Sequence, residues 1–145
     1  MQSSIEEKRE SICQTLKQLE SRETLTQEDY DQVRIWAANS NSEIRTLIVG
    51  FLAQRTEQSA GKLLLTLSHD PDPAVRAYAL DVLCNFPGEK CSERLRQAAE
   101  TEPDAAARFC AIRSLADGMA ETEPSEALAY VQTLFRRETE ELCRL

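Results

Sequence analysis

Glycine and proline are scarce in this chain, four and five residues among 145, so little interrupts its runs of Ala, Leu, Glu, Arg and Gln. That is the composition of helices joined by short turns, and it sets the class as all-α. Histidine occurs once, at His69, and the five cysteines (Cys13, Cys84, Cys91, Cys110 and Cys143) are scattered with no CxxC spacing. An odd set without histidine partners argues against a zinc site or a disulfide framework. Most of these thiols are expected as small buried apolar groups, with a regulatory thiol as the alternative. No apolar run approaches the ~18 residues that span a bilayer, and MQSSIEEKRESICQTL is too charged for a signal peptide. The expectation is a soluble, cytoplasmic protein without a membrane or cofactor partner.

A basic surplus is missing too. The chain carries 25 acids against 17 bases, a net charge of −8. Acid gathers toward the two ends, with eight acids against four bases in residues 1–31 and six against three in residues 121–145. This balance disfavours nucleic acid and favours a basic protein as partner, although solubility alone would also account for it. The length suits one domain, residues 1–145, with enough chain to bury a core unaided.

What the chain does have is an internal repeat. Laying Val75 over Ile44 and Ala107 brings three segments into register: NSNSEIRTLIVGFLAQ, DPDPAVRAYALDVLCN and EPDAAARFCAIRSLAD. Arg45, Arg76 and Arg108 superpose. So do the apolar sets Ile44, Leu47, Ile48, Phe51, Leu52; Val75, Tyr78, Ala79, Val82, Leu83; and Ala107, Cys110, Ala111, Ser114, Leu115. Steps of 3, 4, 7 and 8 mark one stripe of an α-helix. A capping residue precedes each copy, Asn41, Asp72 or Asp104, and Pro73 suits the first helical position.

Between the copies lie TQEDYDQVRIWAA, SAGKLLLTLSH and EKCSERLRQAAE, each long enough for two to three turns. Thr26 with Asp29 resembles a capping box, as does Ser4 with Glu7. The chain thus reads as helix pairs, an outer A and an inner B, with an extra helix near 4–21 and a closing helix near 124–143. One pair cannot hide its own stripe, so neighbours must stack into an α-solenoid.

DPDPAVRAYALDVL resembles the B-helix signature of the HEAT-repeat family, in which an acid lies six positions before an arginine that follows a core valine. The resemblance covers roughly residues 26–118. It implies a short right-handed α-solenoid of about three HEAT-like repeats with flanking helices, and a ladder between units in which Asp70 is the acid and Arg76 the base. Asn39 with Arg45 and Glu102 with Arg108 depart from the pattern, which predicts a ladder interrupted at its amino end.

At 100° per residue, Thr46, Gly50 and Ala53 lie opposite the first stripe. Their counterparts are Ala77, Asp81 and Cys84, then Phe109, Arg113 and Ala116. If B helices line the inner side, as in the family, this column forms a protein-binding face, with Phe109 and Arg113 as anchors beside Asp81, Ala77 and Cys84. The alternative is that the closing helix covers Phe109 and that Arg113 pairs with a local acid. Val49, Leu80 and Ile112 read as packing between repeats, Trp36 as core, and the repeated arginine as structural.

Chemistry is sparse. There is no phosphate loop, nucleophile elbow or HExxH, and one histidine leaves general-base and metal schemes without a partner. His69, at the end of an A segment, reads as a cap whose protonated form the helix C-terminus favours. The chain is therefore expected to be a non-enzymatic, monomeric binding module. The leading reading is an acidic immunity or inhibitor protein that neutralises a basic toxin or other basic partner by occlusion. The alternatives are a scaffold or assembly adaptor, such as HEAT-like proteins acting with chromophore lyases, or a HEAT-like nucleic-acid or chromophore-processing enzyme.

Overall fold

The computed structural model describes residues 2–119 and 124–143; these are mostly helical and contain no strand. The helices are α1 (Gln2–Glu20), α2 (Gln27–Ala37), α3 (Ser42–Ala53), α4 (Gln58–Leu67), α5 (Pro73–Val82), α6 (Glu89–Thr101), α7 (Ala105–Met119) and α8 (Pro124–Cys143). Each of α2, α4 and α6 packs on the helix that follows it, so these are the A helices. The B helices α3, α5 and α7 stack on one another, as the A helices do. The result is an all-α solenoid.

Helix starts follow the local chemistry. Asn41 Oδ1 accepts the Glu43 N–H at 2.9 Å, Asp72 Oδ1 that of Ala74 at 2.8 Å, and Asp104 Oδ2 that of Ala107 at 3.0 Å. Thr26 and Asp29 form a reciprocal capping box. Ser4 does not, because α1 begins at Gln2 and a cap must stand outside the helix it closes. α5 ends at Val82 and continues as one 3-10 turn, Leu83–Asn85. Gly88, with φ of 141°, then redirects the chain into α6.

The stripes bury as their spacing predicts, apart from their edges. Ile44, Ile48, Phe51 and Leu52, then Val75, Ala79 and Leu83, then Ala107, Ala111, Ser114 and Leu115 are all buried. Leu47 and Cys110 are half-buried, and Tyr78 is exposed rather than core. The stripe narrows at this position, and the Tyr78 ring reaches over α3, where a Cβ on Gly50 would lie 3.3 Å from its hydroxyl. Val49, Leu80 and Ile112 are fully buried between repeats, and Trp36 is half-buried against the core.

The repeated arginine ties these layers together, and it reaches forward. Arg45 Nη1 donates to the carbonyl of Asn39 at 2.8 Å, Arg76 Nη1 to that of Asp70 at 2.9 Å, and Arg108 Nη1 to that of Glu102 at 2.9 Å. The rest of each guanidinium pairs with the next unit. Arg45 grips Asp70 in two bonds of 2.8 and 2.9 Å, and Arg76 Nη2 donates to Glu102 Oε1 at 2.9 Å. Arg108 pairs with Glu138 of α8. These carboxylates also accept a turn N–H, Asp70 from Asp72 and Glu102 from Asp104. Asn39 does the same for Asn41 with its amide oxygen. It precedes the first rung, so its lack of charge interrupts nothing: the ladder runs unbroken from Arg45 to Glu138.

A second clasp holds the amino end. Arg55 donates to the carbonyls of Arg22 and Glu23 at 3.0 and 3.2 Å and pairs with Glu57, which accepts the Leu25 N–H at 3.1 Å. The hydrogen bond from Arg55, opposed in part by burial, holds the Glu57 carboxyl down to about 2.

Candidate protein-binding face

Asp81, Phe109, Arg113, Ala77 and Cys84 fall on the B helices α5 and α7 and the turn after α5, and the stacking of those helices decides which of them meet. Arg113 Nε donates to Asp81 Oδ1 at 3.1 Å across the boundary, in an ion pair open to solvent. Cys84 donates its backbone N–H to Ser114 Oγ at 3.2 Å. Ala77 is half-buried against the core. Asp81 and Cys84 therefore face the next unit as well as solvent. Phe109 meets Phe135 of α8 edge to face, with ring centroids 6.0 Å apart. Both stay accessible, at 46% and 39%. Contact with α8 and exposure to solvent thus coexist at Phe109.

Two further aromatics, Tyr78 and Phe135, are exposed although neither stands in the column that the spacing predicts. By register Tyr78 belongs to the apolar stripe, although its hydroxyl and its place at the stripe's edge mark an amphipathic position. Phe135 lies on the closing helix, outside the repeat register at offsets of 31 and 32. A longer offset of 36 aligns α8 with α6, setting Val131, Leu134 and Glu138 over Leu95, Ala98 and Glu102. All but the half-buried Glu138 are buried. Tyr130, the counterpart of Arg94, likewise reaches back to the preceding A helix, donating to Glu100 at 3.0 Å. α8 is thus the A helix of a fourth unit.

The remaining groups offer little chemistry. Arg94 takes the Ser68 hydroxyl and carbonyl at the end of α4, at 2.9 and 2.6 Å. With that carbonyl taken, burial and then the neighbouring Arg94 charge push His69 below the ordinary imidazole range, opposite to the expectation for a helix C-terminus. Burial also pushes the Cys91 and Cys110 thiols up, away from reactive thiolate. The Cys143 side chain lies outside the described residues. A groove of about 680 Å³ between α4 and α6 is lined by Gly61, Leu65, Phe86 and Cys91, with Lys62 and Lys90 among its polar groups. Among the described residues no three His, Cys, Asp or Glu side chains converge as a metal site would require, and no helix is long and apolar enough to cross a membrane.

Helix pairs stacked through a repeated arginine, with A and B layers each continuous, define an α-solenoid of helical repeats. The family model for HEAT repeats matches residues 60–145, more than half the chain, and the protein belongs to that family. HEAT repeats are generally protein-interaction and scaffold modules, and the family is typically non-enzymatic. No curated protein and no solved structure matches the chain.

Proposed function

We propose that the protein is a single non-enzymatic binding module that neutralises a basic protein, a toxin among the candidates, by occluding its working surface. The observation that supports this most is the exposed Phe109–Phe135 pair, set beside the Asp81–Arg113 ion pair on a chain of net charge −8. Exposed aromatics side by side supply the apolar anchor that dominates interface energies, and Ala77 and Cys84 beside them let a partner approach closely. The acidic ends, residues 1–31 and 121–145, steer the encounter.

An assembly adaptor is the second reading. It is favoured by the mutual neutralisation of Asp81 and Arg113, which leaves the centre of the face apolar. Stopped-flow association with the bound protein separates the two. The inhibitor reading expects a rate that falls at least about tenfold as salt is raised from low to several times physiological. A rate indifferent to salt, with affinity lost on removing the aromatics, would overturn it in favour of the adaptor.

A further inference from the structure

The two layers of the solenoid do not close equally. α5 and α7 pack closely in the B layer, whereas α4 and α6 touch only in places. The turns that lead into these A helices differ in length: residues 54–57 join α3 to α4, and residues 83–88 join α5 to α6. The longer turn folds Phe86 inward onto Gly61 of α4, where an added Cβ would come within 3.2 Å of its ring. Between α4 and α6 this leaves the groove of about 680 Å³. Its floor is apolar: Gly61, Phe86 and Cys91 are buried, and Leu65 lies half-buried one helical turn beyond Gly61. The volume is that of a small-molecule site.

Lys62 and Lys90 line the same groove, and both are exposed. They are two of only four lysines in the chain, and among the described residues no ion pair engages either. The ladder arginines, by contrast, each hold a carboxylate. Glu89 is the one acid that lines the groove, and it pairs with neither lysine. The chain as a whole repels anions at a net charge of −8, so two uncommitted ammonium groups above an apolar floor are a local exception.

We infer that this groove binds a small amphiphilic carboxylate, with its apolar body on Phe86 and Leu65 and its carboxylate at Lys62 and Lys90. Each half of that ligand class follows from one observation. A floor of Gly61, Leu65 and Phe86 offers contact area but no hydrogen bond, which suits a hydrocarbon chain or ring. Exposed ammonium groups attract a carboxylate modestly and repel a cation, so the apolar body sets affinity and the lysines set selectivity. Phe109, Arg113 and Asp81 take no part in lining the groove, and the site is therefore independent of the protein-binding face.

The test uses the full chain, labelled with ¹⁵N, and probes of equal chain length at neutral pH: octanoate, octanol and octyltrimethylammonium. Octanoate should shift the amides of α4 and of the first turn of α6, with half-saturation near about 1 mM. Octanol should bind at least about threefold more weakly, and octyltrimethylammonium more weakly still. Lys62→Gln and Lys90→Gln should each weaken octanoate about threefold and together about tenfold, leaving octanol unchanged. Both side chains are exposed, so neither variant threatens the fold. Lys8→Gln combined with Lys17→Gln, on α1, removes the same charge and should change nothing. Absence of shifts on α4 and α6 up to about 10 mM octanoate, or equal binding of octanol or the cation, would overturn the inference. So would a Lys62→Gln, Lys90→Gln double variant that binds octanoate as the parent does. Tighter binding of an acidic Leu/Glu peptide than of octanoate at the same amides would overturn it in favour of a protein partner for the groove. None of these results touches the basic-partner reading, which fails separately, on the salt dependence of association.

Discussion

Two glycines, one acid and one amide show how position outweighs residue type. Gly50 lies in the middle of α3, where an added Cβ would meet only the far end of the exposed Tyr78, at 3.3 Å. Gly61 lies in α4, where it would press on the buried Phe86 ring at 3.2 Å. Alanine favours a helix over glycine by about 1 kcal/mol, so Gly50→Ala should be neutral to stabilising by up to that amount. Gly61→Ala should lose about 1–3 kcal/mol through overpacking. Urea unfolding of the two variants checks both signs. The same comparison applies to Asp70 and Asn39. Asp70→Ala strands the largely buried Arg45 charge and should cost about 3–5 kcal/mol. Asn39→Ala removes one turn hydrogen bond and should cost about 1 kcal/mol. Equal losses would show that the rung contributes no more than the turn.

At the scale of elements, the clasps at the two ends of the solenoid should respond to different perturbations. The Glu57 carboxyl is depressed to about 2 in the folded chain, against an ordinary value of 4.5. A depressed carboxylate stabilises the fold above its unfolded pKa, and that stability is lost as pH falls through the folded value. The clasp should therefore weaken between pH 4.5 and about 2, by at most about 3 kcal/mol. Thermal unfolding across that window should fall less steeply for Glu57→Gln than for the parent chain. At the other end, Glu138→Ala removes the last rung. It should raise amide exchange in α8 while leaving α2–α5 protected, because α8 is bound by its own small set of contacts, Val131 and Leu134 among them. Uniform loss of protection would show that α8 folds as one unit with the rest.

The helices themselves were legible from local signals: the three-and-four spacing, the Asn41, Asp72 and Asp104 caps, and the Thr26 box. The edges were not. Tyr78 shares its position with Leu47 and Cys110 and differs from them only in how far its ring must travel to reach water. Ser4 carries a cap-like pattern inside a helix that starts earlier. α8 was legible as a helix but not as a repeat, because its offset is longer and its rung acid, Glu138, sits within the helix instead of in a turn.

For the whole molecule, acidity and the stacked B face act together. Duplex DNA at low salt should give no gel shift, since a phosphate backbone meets a surface of net charge −8. A shift that salt abolishes would favour the nucleic-acid reading over the basic-protein one.

The sequence by itself determined the helices, their pairing, the repeat and the charge, because each depends on residues within a few turns of one another or on composition alone. Tertiary structure decided which carboxylate each arginine meets, that Arg113 is held by Asp81, that Phe109 meets Phe135, and that α8 completes half of a fourth unit. These contacts join residues about 25 to 32 positions apart. Helical periodicity fixes which face a side chain takes, but only the stacking of one unit on the next fixes what it finds there.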